Sequence, residues 1–222
     1  MTIVHQVSDE LLLEYATGSL SEGWCIAVAS HLALSPEGRR RLAAIEAAGG
    51  ALLKDIPVAE EDTDDSWSRM KARLSEAGGV AINVPMPARR VEATEAILPE
   101  PLRSYLGADV DALKWKALGR GAYHIKIPTG DPTTSVRLLK IPAGKPVPEH
   151  GHGGRELTLV LKGSFSDGDD SFGRGDLEEA DEDLQHQPVA GKDEDCICLA
   201  VTDAPLKFKS PLVRLVQPIL GI

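Results

Sequence analysis

The chain has 222 residues, 42% of them apolar and 26% charged, with a formal net charge of −10 at pH 7. That length allows one large or two small domains, and the composition is that of a folded globular protein. The negative field disfavours direct binding to nucleic acid, and without a bilayer-length apolar run or a secretory leader the expected location is the cytoplasm, away from membranes.

Residues 1–77 read as four helices. Ser8 caps a first helix that carries Asp9 and Glu10 in its opening turn and Leu11, Leu12, Tyr15 and Ala16 on one face before Gly18. Ser21 caps a second, with Trp24, Val28, His31 and Leu32 at helical spacing. Ser35-Pro36-Glu37 starts a third with a hydroxyl cap, a proline at the first helical position and an acid beside it. It runs through Leu42 and Ile45 to Gly49-Gly50 or a turn beyond. The acidic stretch EEDTDD (60–65) reads as a solvated loop before a short amphipathic helix bearing Trp67, Met70 and Leu74 on one side. Residues 78–97 mix Gly, Pro and Ala without a period and read as a linker.

From residue 98 to 222 the texture changes to short apolar runs (VRLLKIP, ELTLVLKGSF, DCICLAVT, VRLVQPIL) broken by Gly, Pro and Asp, the pattern of an antiparallel β-barrel or sandwich. The expected fold class is therefore α+β. Cys196 and Cys198 share one face of a strand but are poorly placed to bridge. With Cys25 they make three cysteines, too few for a disulfide framework, which suits a reducing compartment.

His150 and His152 lie two apart, so an extended strand points both imidazoles the same way, and Glu156 is again at an even offset. His186 is about one hairpin downstream, where an antiparallel strand can bring it opposite. Three nitrogens and one oxygen form a donor set for one divalent transition metal: zinc, iron, manganese, nickel or cobalt. From Gly144 the pattern G-x5-H-x-H-x3-E-x6-G ends at Gly163 and resembles the first cupin motif. From Gly175, G-x10-H places His186 at the ligand offset of the second, although Asp181 and Asp183 stand where that motif has Pro and Gly, and Ala190 where it has Asn.

The whole chain resembles the ChrR-type anti-sigma factors. VSDELLLEYATGSLSE, VASHLALS, EHGHGGRELTLVLKGSF, HQPVAGKDEDCICLAVTDAPL and RLVQPIL carry the likeness. The resemblance implies a four-helix anti-sigma domain, a jelly-roll cupin domain, an extracytoplasmic-function sigma factor as partner, and a reactive-oxygen signal sensed by the barrel. It also implies zinc as the barrel metal and a second zinc in the helical domain, held by an upstream histidine and an H-x3-C-x2-C run. Here His31 keeps that run's histidine, but Ser35 and Gly38 replace the cysteines and Gln6 stands upstream beside His5. A serine hydroxyl is a poor substitute for thiolate, so no zinc is expected there. Cys25 is six residues from His31, roughly 600° around a helix, and offers no replacement. Two other readings stay open: a cupin metalloenzyme such as a dioxygenase or isomerase, for which spacing picks out no catalytic residue, and a drifted relative that binds metal but no sigma factor. Self-association is compatible with all three.

Overall fold

A computed structural model of the chain describes residues 2–57, 63–76 and 96–210. Packing groups residues 1–46 with 97–222 in one compact unit and residues 47–96 in another. The change of texture along the sequence therefore marks secondary structure, while the first helices share a core with the barrel. Glu60 to Asp62 of the acidic stretch, residues 78–95 of the expected linker and the run VRLVQPIL lie outside the described residues.

Helix α1 (Asp9–Thr17) begins where Ser8 Oγ accepts the Leu11 N–H at 3.3 Å, and it stops at Gly18 in the left-handed conformation. Helix α2 (Glu22–Leu34) follows Ser21, and α3 (Pro36–Lys54) follows Ser35, whose hydroxyl accepts the Gly38 N–H at 2.9 Å. Helix α4 (Thr63–Glu76) takes in the end of the acidic stretch, where charge density alone points to a loop. A fifth helix, α5 (Glu100–Leu106), corrects the expectation of strands from residue 98. Its signal is Pro99-Glu100-Pro101: proline is compatible with the first helical turn, where its missing N–H costs nothing, and Glu100 complements the helix dipole.

The strands are β1 (Lys116–Gly119), β2 (Ala122–Ile127), β3 (Ser135–Ile141), β4 (His150–Gly151), β5 (Glu156–Lys162), β6 (Ser164–Asp167), β7 (Asp170–Gly173), β8 (Leu177–Ala180), β9 (Gln185–His186), β10 (Val189–Ala190), β11 (Cys196–Thr202) and β12 (Lys207–Phe208). Six form an antiparallel sheet in the order β1-β2-β3-β11-β5-β8. Two three-stranded sheets, β10-β6-β7 and β12-β4-β9, supply the opposite wall.

Alternation decides what each face of the six-stranded sheet does. Leu157, Leu159 and Leu161 of β5 and Ile197, Leu199 and Val201 of β11 belong to the core shared with the helices. Helix α2 contacts α1 and α5 as well as β5 and β11, so it is buried beyond the single face its spacing suggests. Ile26, Ala27 and Ser30 are buried along with Trp24, Val28, His31 and Leu32. The alternate residues Glu156, Thr158, Cys196, Cys198 and Arg137 line a cavity of about 1200 Å³ on the other side. Among the described residues no helix is long and apolar enough to cross a membrane.

Candidate metal centre

Strand pairing brings two histidines distant in sequence face to face. Strand β4 pairs antiparallel with β9 in the register His150↔His186, the hairpin-like opposition that the spacing implies. The chain then bends at Gly153-Gly154 before β5. A Cβ at position 154 would displace the Asp203 carboxylate from this bend. Asp203 Oδ1 also accepts the Arg155 N–H at 2.8 Å, fixing the start of β5. Glu156 thus reaches the site from the next strand, not by the even-offset argument along one continuous strand.

Three imidazoles converge. His186 Nε2 is 3.1 Å from His152 Nε2 and 3.2 Å from His150 Nε2, and all three rings are buried. Two ligands on one zinc ion at ~2.05 Å and a tetrahedral angle stand about 3.3 Å apart, so the observed separations fit donors to a common ion. The far nitrogens support this. His150 Nδ1–H donates to Pro148 O at 2.8 Å, and His186 Nδ1 meets Asp167 Oδ2 at the same distance. Each contact places the ring proton on Nδ1 and leaves Nε2 as a lone-pair donor. His152 Nδ1 is 3.4 Å from Glu156 Oε2, an ion-pair distance without hydrogen-bond geometry, so this buried atom lacks a hydrogen-bond partner. Glu156 Oε1 accepts from the Thr158 hydroxyl at 2.9 Å. The tight ligand group is the three histidines, with the Glu156 carboxylate alongside at His152.

The surrounding charge favours a cation. Burial lowers the His150 pKa, keeping the ring neutral and able to ligate. Burial works against a charge on Glu156, but His152, then His150 and Thr158, outweigh it and hold this carboxyl below its ordinary range. Glu178 behaves oppositely: burial first, then Asp167, Glu156 and Asp170, push it up to about 8. Its Oε1 stands 3.8 Å from His186 Nδ1, and with Asp167 and His186 it forms a second cluster of donors. Sequence reasoning misses Asp167 and Glu178, because they come from β6 and β8 and belong to no spacing motif.

Three departures at the second motif have local accounts. Asp181 Oδ1 accepts the Asp183 N–H at 3.0 Å and Asp181 O accepts from Leu184 N at 3.3 Å, so an aspartate turn does the work of Pro and Gly before His186. Ala190 is buried in a cluster with Phe165, Phe172, Val160, Cys196 and Cys198. The two barrel cysteines are closer than their spacing suggests. Their sulfurs lie 3.3 Å apart as free thiols, where β11 slips register against β5 between Ile197 and Cys198.

Residues 104–205 match the family described as the ChrR cupin-like domain. Over 223 aligned residues, covering 100% of both chains, the sequence is 47% identical to the anti-sigma-E factor ChrR of Cereibacter sphaeroides. The fold is similar to the crystal structure of Rhodobacter sphaeroides SigE in complex with the anti-sigma ChrR. That match has a TM-score of 0.73 and 41% identity, covering 91% of this chain and 100% of that one.

Proposed function

The chain belongs to the ChrR family of anti-sigma factors, and from that premise we propose that it binds and silences an extracytoplasmic-function sigma factor in the cytoplasm. The observation that carries this reading is the similarity to anti-sigma-E factor ChrR along the full length of both proteins. The contact surface is supported by α4, where Trp67, Met70 and Leu74 stand at i, i+3 and i+7 and are 59%, 49% and 65% exposed. An apolar stripe of that kind suits a groove on a protein partner. The functional division runs as a helical segment (1–77), a linker (78–97) and the barrel (98–222).

The barrel is the regulatory half. His150, His152 and His186 hold one divalent transition metal ion, zinc by family resemblance, with Glu156 as the fourth donor. A reactive-oxygen signal acts there through the His186 imidazole. The test uses the full chain, because α2 packs on β5 and β11 and truncation exposes that face. The purified chain should carry one metal ion, which His150→Ala with His152→Ala removes. His186→Ala should bind the sigma factor as the parent does yet fail to release it on oxidant. Release that survives in His186→Ala places the sensor elsewhere.

A further inference from the structure

The first helices are fastened to the barrel by polar contacts centred on a fully buried histidine. His31 is 0% exposed, as is Ser35. Its Nδ1 lies 2.9 Å from Gly175 O, which can only accept, so Nδ1 carries the ring proton. Nε2 is then the acceptor for the Val7 N–H at 3.4 Å, with Gln6 Oε1 3.2 Å away. Gln6 Oε1 accepts from the Ser35 hydroxyl at 2.5 Å, while Ser35 Oγ accepts the Gly38 N–H. The ring thus joins the N-terminal segment and α2 to the turn between β7 and β8, and the Ser35 hydroxyl on Gln6 ties the start of α3 to the same N-terminal segment.

The same turn holds the N-terminal segment directly. Asp176 Oδ1 accepts the Val4 and His5 N–H groups at 2.7 and 2.8 Å, and its Oδ2 accepts from Gly173 N. Leu177 N–H donates to His5 O at 3.1 Å, and Glu179 accepts the Ser8 N–H at 2.7 Å. Gly175 has a φ of +93°, and a Cβ there would meet Ile3 Cδ1 at 2.6 Å.

A structural zinc does not fit this cluster. Of the four residues, only His31 offers a nitrogen or sulfur ligand. Its two nitrogens are already engaged with Gly175 and Val7. Gln6 and Ser35 contribute neutral oxygens that hydrogen-bond each other, and Gly38 contributes only backbone. Among the described residues, no metal-capable group of His, Cys, Asp and Glu includes His31.

We infer that Gln6, His31 and Ser35 form a metal-free pin fastening the N-terminal segment and α2 to the Gly175–Asp176 turn, so that the helices stay folded and docked when metal is stripped from the barrel. Removing His31 strands the Gly175 carbonyl and the Val7 N–H in a buried site, which costs more than an exposed hydrogen bond.

The experiment follows the full chain with and without a strong chelator, by metal analysis, amide exchange and thermal melting. Chelation should empty the barrel while the Val7 amide and the α2 amides keep their protection. His31→Ala should leave bound metal unchanged and lower the melting temperature by roughly 3–10 °C. Ser35→Ala, which removes only a hydroxyl, should give a smaller drop, again without metal loss; it serves where His31→Ala fails to fold. Loss of a metal ion in either variant, or exposure of the Val7 amide on chelation alone, overturns the pin.

Discussion

Replacing Asp167 should weaken metal binding although it need not touch the ion. Asp167 ends β6, and its Oδ2 is 2.8 Å from His186 Nδ1, with side-chain exposures of 15% and 3%. The carboxylate keeps the ring proton on Nδ1 and Nε2 aimed at His150 and His152. Asp167→Ala leaves the Nε2–H tautomer unopposed, and that form cannot ligate. Losing an outer partner of a metal-bound histidine typically costs ~10–100-fold in affinity, or about 1.4–2.7 kcal/mol. A charge-assisted hydrogen bond is worth ~1.5–3 kcal/mol, so two separate routes give the same range. Glu178 Oε1, at 3.8 Å from the same nitrogen, takes over part of the role and sets the expectation near tenfold. Asp167→Asn keeps an acceptor oxygen and should lose less. The assay is competition of the metal-free chain against a chromophoric chelator at fixed pH, with melting curves to verify the fold. Unchanged affinity in Asp167→Ala would refute the orientation of His186 through Nδ1.

Burial holds the His31 imidazole below its ordinary 6.5, so the native form is neutral. The unfolded chain takes up that proton first. The resulting stability is complete above about pH 6.5 and is lost as pH falls through the lowered native value; a pH series of melts should show a shallower acid limb for His31→Asn. For Glu178, pushed up to about 8 from an ordinary 4.5, the sign reverses. Its protonated form is stabilising below pH 4.5, and that contribution is lost as pH rises through about 8. The metal-free Glu178→Gln chain should therefore lose less stability than the parent between pH 7 and 9 in denaturant titrations. Gly175→Ala forces an L side chain into a left-handed φ against Ile3, and should lower the melting temperature by roughly 3–10 °C.

Much of this was legible where one residue type has one local job. Ser8 and Gly18 bound α1 as their chemistry requires, and the spacing of His150, His152 and His186 anticipated the converging imidazoles. Long-range packing left weaker traces. Helix α2 (EGWCIAVASHLAL) is apolar nearly all round, the pattern of a buried helix, and reading only Trp24, Val28, His31 and Leu32 at helical spacing picks out just one of its faces. The step from helical to strand texture carried no sign that residues 1–46 share a compact unit with the barrel. Asp167, Glu178 and Asp176 are ordinary acids in sequence. Only the pairing of β6 with β7 and of β5 with β8 turns them toward His186 or the N-terminal segment. Helix α5 has a legible start in Pro99-Glu100-Pro101, but the turn-rich composition around it masks the signal.

Silencing of a sigma factor is measured most directly by run-off transcription with core polymerase, the extracytoplasmic-function sigma factor of the same cell and the full metal-loaded chain. An equimolar amount of loaded chain should abolish the transcript, and oxidant treatment should restore it in the parent but not in His186→Ala. Full transcription in the presence of excess loaded, folded chain would contradict the anti-sigma function.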